Sequence, residues 1–471
     1  MKLLVALECA ITLLVELSTS GSCRSLPVSF DAADYAPVDV ITRDVFIAGG
    51  GASGTYAAVR LQQDFNKSVV VVEQKPVLGG HTQTYIDTAS NSTIELGVIA
   101  YHDLPVVHAF FSRFAIPLAT LSFSTVHLNY VDFRTGQSVN ITTRPNDTLA
   151  AFMRWANLLA QNSYLSQGFV LPNPVPPDLT LTLGQLIEKY NLSAIVSYFW
   201  SFGQGHGDIL NAPALYALKF FGPQVLRGAS TAFLTTARRN NHELYEKALD
   251  VLGNGTNVFL NSSVYVMARD LQGEYGSVVI STPSGNKLIQ AKQFLFTIPP
   301  TIENLAVFDL DKAEADLFSQ FQISQYYTGL LSNVSVARNT TIENRVASAD
   351  NYHLPRLPTS YTLGTTFTPS RLADVKFGSN VSLSLQDVQS KILAEANRVV
   401  PGPAPQIVTL LDHSPFGLQV SAQAIRDGFY SRLYQLQGRR RTFWTGAAWH
   451  VHDSSLLWNF TDAVLAQMQH A

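Results

Sequence analysis

The sequence predicts an α/β fold: a mostly parallel sheet extended by an antiparallel meander, with a second α+β domain interleaved between its segments. Three observations predict it. An apolar strand runs into a glycine turn and a helix near the amino end, a set of strands in the middle stops at a double proline, and a second strand–glycine–helix unit closes the chain.

The first unit is the most specific. Asp44-Val45-Phe46-Ile47-Ala48 leads into Gly49-Gly50-Gly51-Ala52-Ser53-Gly54, which places Gly49, Gly51 and Gly54 in G-x-G-x-x-G spacing. In that spacing the first glycine makes the tight turn, the second lets backbone approach a pyrophosphate, and the third lets helix and strand lie close. The anion then rests on a helix N-terminus, where unpaired N–H groups and the macrodipole favour negative charge. Ala58, Leu61 and Phe65 follow at helical spacing, and Val69-Val70-Val71-Val72 reads as a strand buried on both faces. Glu73 ends that strand about 20 residues past the glycines, where a carboxylate accepts the ribose hydroxyls of a dinucleotide and repels a 2′-phosphate. This is a Rossmann-type dinucleotide site.

A glycine doublet, Gly79-Gly80, follows in Val77-Leu78-Gly79-Gly80-His81-Thr82, where the chain passes back across the bound nucleotide; nicotinamide dehydrogenases do not need it. From Tyr101 to about residue 228 the pattern turns helical and aromatic. A helix after Asn240 then leads to strands expected over 258–269, 276–282 and 287–290, and to Phe294-Leu295-Phe296-Thr297, closed by Ile298-Pro299-Pro300. Mixed strand and helix follow, with an amphipathic helix over 385–399. The last unit is the strand and turn Thr442-Phe443-Trp444-Thr445-Gly446, then a helix over 456–468. The expected division is a nucleotide domain from residues 43–100, 229–300 and 433–471, and a substrate domain from 101–228 and 301–432.

Composition narrows the function classes. The net charge is −3 and only 14% of the 471 residues are charged, with no basic stripe, so a nucleic-acid partner is not expected. Lys2, an apolar stretch over residues 3–15 and the small residues Ser18 to Ser22 read as a signal peptide over 1–22, with an uncleaved anchor as the alternative because Glu8 and Glu16 interrupt the pattern. The stretch is too short for a stable membrane span. Cys9 and Cys23 are the only cysteines. Eleven N-x-S/T sequons, at Asn66, Asn91, Asn140, Asn146, Asn191, Asn254, Asn261, Asn333, Asn339, Asn380 and Asn459, involve nearly half the asparagines, against roughly one in seven from ordinary Ser and Thr usage. The chain is therefore expected to be a glycoprotein, secreted or in the secretory-pathway lumen.

Together, the amino-terminal motif, the Gly79-Gly80 doublet, the meander ending at Pro299-Pro300 and the Gly446 unit resemble the flavin-containing amine oxidase superfamily. Val77-Leu78-Gly79-Gly80-His81-Thr82, Pro213-Ala214-Leu215-Tyr216, Asp427-Gly428-Phe429-Tyr430 with Leu436-Gln437-Gly438, and Thr445-Gly446-Ala447-Ala448-Trp449 resemble the fungal β-cyclopiazonate dehydrogenase group. The resemblance implies FAD as cofactor. It implies that Gly49, Gly51, Ala52, Ser53 and Gly54 hold the pyrophosphate, Glu73 the ribose, Gly79, Gly80 and His81 the flavin side, and Val264 the adenine. It further implies that Gly446 closes over the pyrophosphate and that Ser454 and Ser455 aim helix N–H groups at the flavin pyrimidine. Ala447 departs from the pattern, since many relatives carry an acid there. No Cys lies near the carboxy-terminal motif to attach FAD, whereas a histidyl link through His81 stays open.

The chemistry implied is hydride removal from a C–H that is allylic or alpha to nitrogen, on a bulky apolar secondary metabolite, in some cases with ring closure, and with O2 reoxidising the flavin. A redox-neutral isomerase of polyunsaturated fatty acids, a simple amine oxidase and an inactive flavin-binding protein are the alternatives. On the substrate side, His102 follows Glu95-Leu96-Gly97-Val98, and His206 with Asp208 sits in a glycine-rich loop. Tyr216 shares a helix with Lys219, and His450 and His452 lie in the closing segment; each of these is also readable as a core or turn residue. The scattered histidines lack metal-ligand spacing, so no metal is expected.

Overall fold

The computed structural model describes residues 29–121, 126–269, 273–348, 352–366 and 368–470. The expected leader over 1–22 and both cysteines lie outside the described residues.

Apolar β-branched runs make the centre of the nucleotide sheet. Val40–Ala48 pairs in parallel with Val69–Val72 on one side and with Gly285–Phe296 on the other, and Val258–Phe259 extends the sheet beyond Val69–Val72. All four valines of Val69–Val72 are buried, as a strand covered on both faces requires. On its other edge the twelve-residue strand Gly285–Phe296 serves two further partners. Its first half closes the antiparallel meander Ser263–Ala268, Gly276–Thr282, Gly285–Phe296, and its last three residues pair in parallel with Thr442–Trp444. The carboxy-terminal segment thus enters the sheet next to the strand that ends at Thr297.

Two expectations are corrected here. The strand read over 258–269 breaks in two, because the backbone N–H groups of Asn261 and Ser262 donate to the carbonyls of Lys75 and Glu73 and so turn the chain. The stretch after Tyr101 is not helical and aromatic throughout. Leu118–Leu121, His127–Asp132 and Gln137–Ser138 are strands. His127–Asp132 has little apolar alternation of its own and is fixed by parallel pairing with Thr340–Asn344, more than two hundred residues away. It joins an eight-stranded sheet running Gln406–Asp412, Gln322–Ser332, Ala373–Ser379, Thr359–Thr365, Thr340–Asn344, His127–Asp132, Gln137–Ser138, with Phe416–Gln419 paired to Gln322–Ser332.

Helix Leu385–Val399 presents Val388, Ile392 and Ala396 to Leu331, Val375 and Phe377, a small core behind that sheet. The main core is continuous. It runs from Phe46, Ile47 and Val71 through Trp155, Phe199 and Leu215 of the helical layer to Trp444 and Trp458 of the carboxy-terminal unit. The nucleotide sheet and the helical layer therefore share one buried interior.

Candidate functional site

Gly49 takes φ +97° and donates its N–H to Val72, which turns the chain out of the sheet. Helix Ala52–Gln63 then begins at Gly51 with no capping side chain and no acid in its first turn, so its first N–H groups remain open to an anion. The Ser53 hydroxyl beside them is buried without a hydrogen-bond partner. A Cβ on Gly54 would lie 1.9 Å from the Gly49 carbonyl oxygen, so only glycine lets the helix sit this close. The second glycine turn touches the first: a Cβ on Gly80, at φ +59°, would fall 2.9 Å from Gly51 Cα. Glu73 is buried, and its two oxygens accept N–H groups from Gly50 at 2.7 Å and Lys75 at 2.8 Å.

The carboxy-terminal unit meets this turn across the end of strand Gly285–Phe296. Gly446 takes φ +117° with its missing Cβ 3.2 Å from the Thr297 carbonyl, and the Thr297 hydroxyl donates to the carbonyls of Ala48 and Gly49. Helix Ser454–Met468 is capped by Asp453, whose carboxylate accepts from Leu456 N–H and lies 2.8 Å from His102 Nε2. Burial alone would lower the His102 pKa and raise that of Asp453, but their mutual attraction reverses both shifts. Trp458 Nε1 donates to the Ala52 carbonyl and Arg60 pairs with Asp462 at 2.6 Å, which ties the two helices together.

Between these parts lies a cavity of about 830 Å³. Glycine backbone, Glu73, Lys75 and Val264 line one region; Gly97, Tyr326, His413, Phe416, Trp449 and His452 line another. The latter is an aromatic wall. His452 stacks on Phe416 at 3.8 Å between centroids, and His81 contacts His413 at 4.8 Å and Phe416 at 5.7 Å. Burial pushes the His81 imidazole down to about 4, and burial with the neighbouring imidazoles holds His413 and His452 well below the usual histidine value. The wall is therefore neutral at pH 7. His452 Nε2 accepts the Gly417 N–H and His413 Nε2 contacts the Thr328 hydroxyl at 2.9 Å, while His413 Nδ1 is buried with no partner among the described residues.

The domain model that matches residues 47–114 describes an NAD(P)-binding Rossmann-like domain. An FAD-dependent oxidoreductase of Cochliobolus heterostrophus is 38% identical to this chain, with 95% of each chain covered. One from Monascus ruber is 35% identical, covering 97% of this chain and 98% of its own. The β-cyclopiazonate dehydrogenase of Aspergillus oryzae is 33% identical, over 91% and 94%. The chain belongs to this family of FAD-dependent oxidoreductases. Among solved structures, a CLA-producing fatty acid isomerase from P. acnes has a TM-score of 0.74 at 18% identity, over 93% of this chain and 99% of the other. Cyclohexylamine oxidase from Brevibacterium oxydans has 0.62 at 15%, over 91% and 99%. Both share the fold, that of the flavin amine oxidases.

The FAD-dependent oxidoreductase has residues that fit its cofactor: an open helix N-terminus, an orphaned Ser53 hydroxyl aimed among glycines, and a backbone cradle in which a Cβ has no room. Of the cofactor residues named from sequence, Gly49, Gly51, Ala52, Ser53, Glu73, Gly79, Gly80, His81, Val264, Gly446 and Ser454 line the cavity. Gly54 lies behind the turn, and the Ser455 hydroxyl accepts the His102 backbone N–H. The substrate-side residues are placed differently. His102 is behind the cavity on Asp453, and His450 points away from it, with Nε2 3.1 Å from the Ser166 carbonyl. The Tyr216 hydroxyl is held in the core by Val420 and Tyr430, and Lys219 is occupied by the carbonyls of Leu165 and Gly168. His206 and Asp208 line a second cavity of about 550 Å³, where His206 packs edge-on against Phe416 and His452.

His452, two residues past His450, is on the main wall with His81 and His413. Asp453, Tyr326, His413 and Phe416 were not found from sequence. Asp453 had a signal, as an N-cap before an apolar helix. Of the other three, Tyr326 lies within the strand Gln322–Ser332, His413 just after Gln406–Asp412 and Phe416 at the start of Phe416–Gln419, and they had none. Among the described residues no group of three or more His, Cys, Asp or Glu side chains is arranged to hold a metal, and no helix is long and apolar enough to cross a membrane.

Proposed function

We propose that this chain oxidises a bulky apolar secondary metabolite, removing hydride from a C–H that is allylic or alpha to nitrogen, in the secretory lumen or outside the cell, with dioxygen as terminal oxidant. One observation carries the reading: a single cavity joins a glycine-and-carboxylate cradle to a neutral aromatic wall. FAD, when bound, supplies the hydride acceptor. Gly49, Gly51, Ala52, Ser53 and Gly446 would hold its pyrophosphate, Glu73 its ribose, Val264 its adenine, and Gly79, Gly80 and His81 its flavin side. Ser454 would present the N-terminus of a fifteen-residue helix to the pyrimidine ring.

The wall of His81, His413, Phe416 and His452 excludes water and presents no charge, which favours an apolar substrate over an anionic one. His413 Nδ1 and Trp449 Nε1 are wall atoms without a hydrogen-bond partner among the described residues. Where oxidation leaves an electrophilic carbon, a nucleophile of the same substrate held in this cavity closes a ring onto it, and the protein's contribution is orientation.

Purified protein should be yellow, and the right metabolite should bleach the visible flavin band without oxygen and consume oxygen when it is admitted. Protein that stays colourless after reconstitution with FAD would sink the reading. Continued turnover under nitrogen would mean redox-neutral isomerisation instead. Proteolysis of intact vesicles tests the lumenal placement, since a lumenal enzyme is protected.

A further inference from the structure

All eleven sequon asparagines are exposed on the folded chain. Of the twelve other described asparagines, Asn129, Asn157, Asn173, Asn211, Asn286, Asn304 and Asn397 are exposed, whereas Asn162, Asn240, Asn241, Asn257 and Asn344 are wholly or partly buried. Backbone conformation separates the two sets further. Every described asparagine with positive φ, namely Asn66, Asn91, Asn191, Asn261, Asn333 and Asn339, carries a sequon. Left-handed asparagines favour tight turns, and of these six Asn333 Nδ2 already donates to the Ala404 carbonyl at 3.1 Å, a bond that the one remaining amide N–H of a glycosylated Asn can keep.

We infer that the folded enzyme carries N-linked oligosaccharides at these eleven positions; the inference rests on the lumenal placement proposed above. The donor is an oligosaccharide esterified to a polyprenyl diphosphate. The asparagine Nδ2 bonds to the anomeric carbon as the bond from that carbon to the diphosphate oxygen breaks; the lipid diphosphate leaves and the amide proton passes to a base of the transferring enzyme. No oxidation is involved. Transfer occurs on the chain as it enters the lumen, so only the final exposure of Asn has to be tolerated. Asn459 shows this, because it is exposed while Thr461 of the same sequon is fully buried against Thr445.

The placement suits both surface and site. Charged residues are 14% of the chain, against about 25% in ordinary soluble proteins, and glycans supply the hydration that charges otherwise give. None of the eleven lines the main cavity, although Asn261 immediately precedes Ser262, Ser263 and Val264, which do. Asn380 lines the second cavity, which a glycan there would cover.

The test is to make the full-length chain in a eukaryotic host, assay protease protection in intact vesicles, and treat the purified protein with peptide-N-glycosidase. The expected result is a protected chain that collapses to one lighter band. Peptide maps should then show asparagine converted to aspartate at the eleven sequons and not at the seven other exposed asparagines. Asn380→Gln and Asn459→Gln should each remove one glycan's mass from the untreated protein. A protected chain with no mass shift overturns the glycan assignment and leaves the lumenal reading standing. An unprotected, unshifted chain overturns both.

Discussion

Gly51 and Gly80 meet face to face, and they separate two demands on glycine. A Cβ on Gly51 meets only Gly80 Cα at 3.8 Å, an ordinary contact, yet it would project into the cavity. Gly51→Ala is therefore expected to keep its melting temperature as apoprotein, with a cost within about 0.5 kcal/mol, while FAD affinity falls at least about tenfold. Flavin titration beside thermal melting checks both halves. Gly54→Ala is the contrast, since its Cβ overlaps backbone 1.9 Å away and the apoprotein itself should be destabilised. Glu73→Gln removes a buried charge that accepts two N–H groups. With charged hydrogen bonds contributing about 1.5–3 kcal/mol, FAD should dissociate at least about tenfold more readily, and unchanged affinity in a flavin titration would count against the ribose role. These residues were legible because steric demand fixes their type and spacing. His413 and Phe416 were not, because residues at the turn between two short strands obey no spacing rule.

At the scale of elements, the meander is anchored by Arg269, fully buried at the end of Ser263–Ala268. Its guanidinium reaches Asp309 at 2.8 Å and Glu314 at 2.7 Å, and Arg440 from the carboxy-terminal unit joins the same two acids. Removing Arg269 leaves the buried Glu314 with only the longer Arg440 contact at 3.2 Å, so Arg269→Met should cost up to about 3–5 kcal/mol. The double variant Arg269→Met with Glu314→Leu should recover part of that loss, because the Arg440–Asp309 pair at 2.7 Å survives. Denaturant midpoints of the two variants decide it; equal midpoints would rule out an uncompensated Glu314 charge as the cause. Sequence patterning anticipated the helix Leu385–Val399 and the strand Gly276–Thr282 closely, since both carry clear apolar periodicity. It missed His127–Asp132, whose largely exposed side chains give no alternation and whose conformation is set by a distant strand.

For the whole molecule, buried imidazoles set the response to acid. Burial lowers His81 and His206 to about 4 and His450 to about 3. The unfolded chain, with ordinary histidines near 6.5, binds protons in that window and the folded chain does not. This stability is present above pH 6.5 and is lost as pH falls toward 4, or toward 3 for His450, by roughly 3–5 kcal/mol per imidazole at the acid limit. Glu95 acts in the opposite sense. Burial raises it to about 8, so the folded state holds a proton that the unfolded state releases, and stability declines as pH rises through that value. The melting temperature should peak near about pH 6.5, and Glu95→Gln should flatten the alkaline side. A flat acid limb in melting curves would show that these histidines are not desolvated.

The sequence by itself determined the cofactor end of this enzyme. Turn geometry, helix starts and strand burial are local constraints, and each leaves its mark within a few residues of Gly49, Glu73, Gly79 and Gly446. Only the tertiary structure decided the substrate end. It turned His452 toward the cavity and His450 away, buried Tyr216 in the core, and brought His413 and Phe416 from the second sheet to face His81. Those contacts span hundreds of residues and are fixed by how sheets and helices share one interior, which no local pattern of side chains encodes.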